Sequence, residues 1–99
     1  MTRSVRVLRR AQRDLQEIYD LIVREAPQRA DPFIDGLLEA LDSLATLSER
    51  GAVPRDEALR HQGYRFLVHG SYLVFYKVLK RQVRVYRVVR GSRAYRSLL

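Results

Sequence analysis

Ninety-nine residues amount to one domain, and a hydrophobic content of 46% is enough for an ordinary core. The chain has no cysteine, which excludes a disulfide scaffold, thiolate zinc sites and a cysteine nucleophile. The net charge of +8 is unevenly spread: residues 1–57 hold 9 Lys and Arg against 11 acids, whereas residues 58–99 hold 10 Lys and Arg and no acid. Such a concentrated positive field favours an anionic partner, whether nucleic acid, a nucleic-acid enzyme or an acidic protein tail. The opening Met1-Thr2-Arg3-Ser4-Val5-Arg6 never becomes apolar, and the longest apolar run is Tyr72-Leu73-Val74-Phe75-Tyr76. No secretory signal or membrane span is expected, and the simplest expectation is a cytoplasmic protein.

Val5-Arg6-Val7-Leu8 is short and β-branched and predicts an opening strand. From Ala11 the period changes: Ala11, Leu15, Ile18 and Ile22 follow at steps of four, three and four, with Tyr19 and Leu21 widening the apolar face. Asp14, Glu17, Asp20 and Arg24 are expected on the solvated side of this helix, which Pro27 stops near Ala26. A second helix carries Phe33, Leu37, Leu41 and Leu44 on one stripe, with Ile34, Leu38 and Leu47 beside it. Its start is either Asp31-Pro32, as cap and first position, or near Pro27 with Pro32 tolerated close to the first turn. The two helices form an αα-hairpin.

Arg50 to Gln62 shows little periodicity and reads as a loop. Three strand patterns follow: Tyr64–Val68, then Tyr72–Leu79 after the turn His69-Gly70-Ser71, then Gln82–Arg90 after Lys80-Arg81. The middle one is apolar on both faces, as a central strand of an antiparallel meander would be. A β-α-α-β-β-β order predicts an α+β fold in which the helical hairpin packs on a small antiparallel sheet.

Groups for acid–base chemistry are sparse. Arginine neutralises phosphate charge well and transfers protons poorly, because its pKa is so high. His61 falls in the loop and His69 in the hairpin turn, where histidines are commonly just solvated. No HxxxH, paired carboxylates or glycine-rich phosphate loop is present, so no metal or cofactor is expected. Arginines recur at every third position from Arg81 through Arg84, Arg87, Arg90 and Arg93 to Arg96. Without a bulge, Arg81 and Arg87 would face one way and Arg84 and Arg90 the other.

Several strings in this order are family-like: Asp14-Leu15 with Ile18-Tyr19, Gly63-Tyr64-Arg65, Leu73-Val74-Phe75-Tyr76, and Arg87-Val88-Val89-Arg90-Gly91-Ser92-Arg93. Over nearly the whole chain they resemble the ParE/RelE superfamily of bacterial type II toxin–antitoxin toxins. RelE-like members cleave messenger RNA on the ribosome; ParE-like members poison DNA gyrase by trapping its cleaved-DNA complex. Against the RelE pattern, Arg65 and Arg93 match basic positions, which would make them the catalytic residues of a nuclease. Leu67 and Leu73 stand where that pattern has bases, and Tyr95 lies near its C-terminal tyrosine position without matching it. The long hairpin and the Arg87…Gly91-Ser92-Arg93 ending resemble ParE more closely.

The resemblance implies a cognate antitoxin, a small DNA-binding protein with a tail that folds on the toxin. Its expected seat is an apolar groove between hairpin and sheet, touching Leu15, Ile18, Tyr19, Ile22, Leu37, Leu41, Tyr64 and Phe66. Target contact is expected from the acid-free end of the chain, at Arg87, Arg90, Arg93, Tyr95 and Arg96, with Leu98 and Leu99 pinning that end to the body. The alternative is that Arg87 and Arg93 are structural, bonding loop carbonyls or pairing with Asp56 or Glu57.

Overall fold

The computed structural model describes residues 2–91 and Leu99; the expected contacts at Arg93, Tyr95, Arg96 and Leu98 lie outside the described residues. Strand β1 (Ser4–Val7) sends Val5 and Val7 into the core and leaves Ser4 and Arg6 exposed. Helix α1 (Arg9–Glu25) starts without a side-chain cap; instead the Gln12 amide donates to the Val7 carbonyl at 2.9 Å. Helix α2 (Pro27–Ser43) follows after a single residue, so the earlier of its two possible starts holds. Pro27 suits a first helical position because its missing N–H would be unpaired there anyway. Pro32 lies inside the helix, and the carbonyl it leaves without a helical donor belongs to Gln28, which is exposed and open to water. Leu44 caps the helix, so Leu47 falls beyond it and is 58% exposed.

The stretch expected to be a loop contains a short helix, α3 (Glu57–His61). Asp56 caps it by accepting from the Leu59 N–H at 3.0 Å, and Leu59 is buried. Five residues are too few for periodicity to register. Strands β2 (Tyr64–His69), β3 (Tyr72–Val78) and β4 (Gln82–Arg90) form the expected meander, with Gly70 at φ 59° in the first turn. The sheet order is β1-β4-β3-β2, and β1 pairs in parallel with Gln82–Val85 of β4. The sheet is therefore mixed, not antiparallel throughout. The helical hairpin carries the chain from one edge to the other, so β1 and β4 run the same way.

β1 covers only the first half of β4, so among the described residues no strand lies on the outer side of the stretch beyond Val85. A bulge falls at this point: Tyr76 pairs with Val85 and Phe75 with Arg87, leaving Tyr86 as the extra residue. The arginine alternation expected for an unbroken strand is thereby reset. Arg84 shares the open face with its partner Lys77, whereas Arg90 pairs with Tyr72 on the helix side. Helices and sheet enclose one core, including Ala11, Ile18, Leu37, Leu41, Val74, Tyr76 and Val85. A second, smaller cluster of Leu59, Tyr64, Phe75 and Val89 lies on the opposite face, and Leu99 packs against it as expected.

Candidate functional site

At the uncovered half of β4 the backbone needs a partner, and α1 supplies one. Asp14 Oδ2 accepts from the Val88 N–H at 2.9 Å and from Arg87 Nε at 2.7 Å; Oδ1 accepts from Arg87 Nη2 at 3.1 Å. Arg10 Nη1 lies 2.8 Å from the same Oδ1 as an ion pair. One carboxylate thus replaces the missing strand and holds a bidentate guanidinium. Asp14 is 4% exposed, contrary to the solvated helix face expected for it. It lies three residues after Ala11 and four before Ile18, both buried, so its place on the inward stripe is visible in the spacing. Arg87 takes up the structural role that the sequence leaves open, and Asp14 on α1 is a partner that the sequence reading does not name. A guanidinium held in this way is not free for the target contact expected of it.

Around this pair is a cleft of about 180 Å³ bordered by Arg10, Glu17, Leu21, Tyr72 and Arg90 among others. Arg90 is exposed, with its guanidinium carbon 5.6 Å from the centre of the Tyr72 ring. It is the one arginine of the expected target set that the described residues place at the surface.

Arg65 stands on β2, at the far edge of the sheet, opposite Tyr76. Its Nη1 donates to the Gly51 carbonyl at 2.9 Å and to that of Glu49 at 3.3 Å. The Gly51 N–H in turn donates to the Tyr76 hydroxyl at 2.9 Å. Both main-chain groups of Gly51 are therefore held by side chains of the sheet. A Cβ on Gly51 would come within 2.5 Å of that hydroxyl, so the close approach demands glycine. Burial raises the Tyr76 pKa above its usual value, with the Gly51 N–H and Arg65 pulling the other way. These contacts fasten the segment after α2 to the sheet and commit the Nη1 end of the half-buried Arg65 to the scaffold.

The expected antitoxin residues divide by burial. Ile18, Leu37 and Leu41 fill the core between hairpin and sheet, so the groove expected there is occupied by the protein itself. Tyr64 is 5% exposed and lies on the opposite face; burial and the neighbouring Tyr86 raise its pKa. Leu15, Tyr19, Ile22 and Phe66 remain partly exposed. Leu15, Tyr19 and Ile22 follow helical spacing along α1, and Val23, 39% exposed, adjoins them. The Tyr19 hydroxyl donates to Asp31 Oδ1 at 2.9 Å, bridging the two helices and raising its own pKa. Among the described residues no group of His, Asp and Glu is arranged to hold a metal ion, and no helix is long and apolar enough to cross a membrane.

The fold is shared with solved toxin–antitoxin structures. One, from the chromosomal ParDE system of P. aeruginosa, superposes with a TM-score of 0.75 at 24% identity, covering 90% of this chain and 96% of that one. Another, from the RelBE2 complex of Mycobacterium tuberculosis, gives a TM-score of 0.64 at 22% identity, covering 91% and 99%. No curated protein matches the chain. At these identities the two structures establish the architecture, which both ParE and RelE toxins use, and leave the choice between them to the sequence. Residues 5–95 match the family model described as the ParE toxin of the type II toxin–antitoxin system parDE, and the chain belongs to that family of toxins.

Proposed function

We propose that this toxin inhibits DNA gyrase by trapping its cleaved-DNA complex, without cutting a bond itself, and that a cognate antitoxin neutralises it. The observation that carries this reading is the engagement of Arg65. A ribosome-dependent nuclease of the RelE kind would need that guanidinium beside the scissile phosphate, whereas here its Nη1 is turned to the Gly51 and Glu49 carbonyls. The leucines at positions 67 and 73 support the same reading, since neither supplies a charge or a proton. Target contact is assigned to Arg90, Arg93, Tyr95 and Arg96, beyond the anchored Arg87. The antitoxin is assigned to the half-exposed stripe of α1 (Leu15, Tyr19, Ile22), with Phe66 on β2 as a further contact. Cytoplasmic action follows from a target of this kind.

The test is a supercoiling assay with purified gyrase and relaxed plasmid. The toxin is expected to block supercoiling, and co-purified antitoxin to restore it. Arg93→Ala, or truncation after Gly91, is expected to abolish growth inhibition while antitoxin binding stays near wild type; the point variant is also expected to keep its thermal stability, whereas the truncation gives up the packing of Leu99 on its cluster. Loss of the fold or of antitoxin binding in both variants would instead make the tail a scaffold.

A further inference from the structure

The register of the sheet assembles a cationic row that no single strand displays. Arg6 on β1 pairs with Arg84 on β4, and Arg84 pairs with Lys77 on β3. Lys77 pairs in turn with Tyr64 on β2. All lie on the face away from the α1–α2 hairpin, because Val5, Val7, Val83 and Val85 take the other. Three positive side chains therefore stand side by side at the spacing of neighbouring strands, about 4.8 Å. Arg6 is exposed and the other two are half-exposed.

Like charges directly opposite one another destabilise a sheet. Among the described residues none of the three has an acidic partner: Arg84 Nε donates to Gln82, and Lys77 Nζ sits 4.5 and 5.0 Å from the ring centres of Tyr64 and Tyr86. The acids of α3, which packs on this face through Leu59, are engaged elsewhere. Asp56 caps its own helix, and Glu57 lies 3.9 Å from Arg60. An uncompensated row of cations suits a polyanion that carries one charge per repeat.

We infer that this row binds the phosphate backbone of DNA, so that the toxin grips the nucleic acid of its target complex as well as the enzyme. The inference rests on the gyrase reading for the choice of DNA, while the surface itself stands on the register alone. It lies on the opposite sheet face from the helical hairpin.

The test measures anisotropy of a short fluorescein-labelled DNA duplex with intact toxin, over a range of salt. The triple variant Arg6→Gln, Arg84→Gln, Lys77→Gln is compared with Arg13→Gln, Arg24→Gln, Arg29→Gln, which removes equal charge from exposed positions on the hairpin. The row variant is expected to bind at least tenfold more weakly, with a log–log salt slope shallower by roughly 0.9 for each phosphate that is no longer neutralised. The hairpin variant is expected to stay within a few-fold of wild type. Arg6→Gln with Arg84→Gln, which leaves Lys77 on its rings, is titrated in the same assay and is expected to bind more weakly than wild type while keeping or raising the melting temperature, since a repulsion is removed.

Equal weakening in both triple variants, absence of duplex binding by wild type, or tighter binding to RNA or polyglutamate than to DNA would each overturn the inference. Toxin that blocks supercoiling without binding duplex overturns the row and spares the gyrase reading. Toxin that binds duplex through the row but leaves supercoiling untouched does the reverse.

Discussion

A buried carboxylate that serves a strand edge and a guanidinium at once is a single point on which much depends. Truncating Asp14 to Ala would take from the buried Arg87 its bidentate carboxylate and leave the Val88 N–H without its acceptor. The expected loss is about 3–5 kcal/mol in urea denaturation, the usual cost of breaking a buried pair from one side. The double variant Asp14→Leu, Arg87→Met is expected to recover much of it, because the remaining charge is removed too. If Arg87 instead served the target directly, Asp14→Ala would spare stability and change only toxicity. The tyrosines give a second residue-scale prediction. Burial holds the Tyr76 hydroxyl protonated above its usual value of 10.0. A folded-state pKa raised in this way contributes stability that is complete below the unfolded value and is lost as pH rises through the folded one. The urea midpoint is expected to fall above about pH 10, and Tyr76→Phe to flatten that fall, at the cost of the Gly51 hydrogen bond.

At the scale of elements, helices are the most legible part of the sequence. The apolar steps of α1 and α2 exceed four turns each, long enough for the period to stand out from chance. The five residues of α3 are not, although Asp56, Glu57, Arg60 and His61 supply its cap and end charges. Two further features escape local pattern because they are set by partners far away in the chain. The parallel seat of β1 depends on β4, and the Arg6–Arg84–Lys77 row exists only once three strands are in register. Asp14 differs: its position between Ala11 and Ile18 is readable, but an acid among acids looks like solvated surface. The α1 stripe gives the element-scale prediction. Tyr19→Ala and Val23→Glu are expected to weaken antitoxin association about tenfold or more by titration calorimetry, with little change in melting temperature. Leu37→Ala is expected to cost about 2–5 kcal/mol of stability instead, because that side chain is fully buried in the core.

Across the whole molecule, charge and architecture divide the work. The acid-rich first half of the chain forms the hairpin, and the acid-free second half forms the meander and everything after it. The sheet thus has one face closed by the α1–α2 hairpin, while the other carries α3 with its small apolar cluster and the Arg6–Arg84–Lys77 row. The scaffold claims some of the arginines that composition alone would assign to a partner, Arg87 and Arg65 foremost.

The most direct measurement of the gyrase reading places two targets side by side with the same toxin preparation. Gyrase and plasmid are incubated with toxin, then denatured and digested; translating ribosomes carrying a defined messenger are treated in parallel. Accumulated linear DNA with intact messenger is the predicted result. Messenger cut at the ribosome, with gyrase supercoiling normally, would contradict the account and return Arg65 and Arg93 to catalysis.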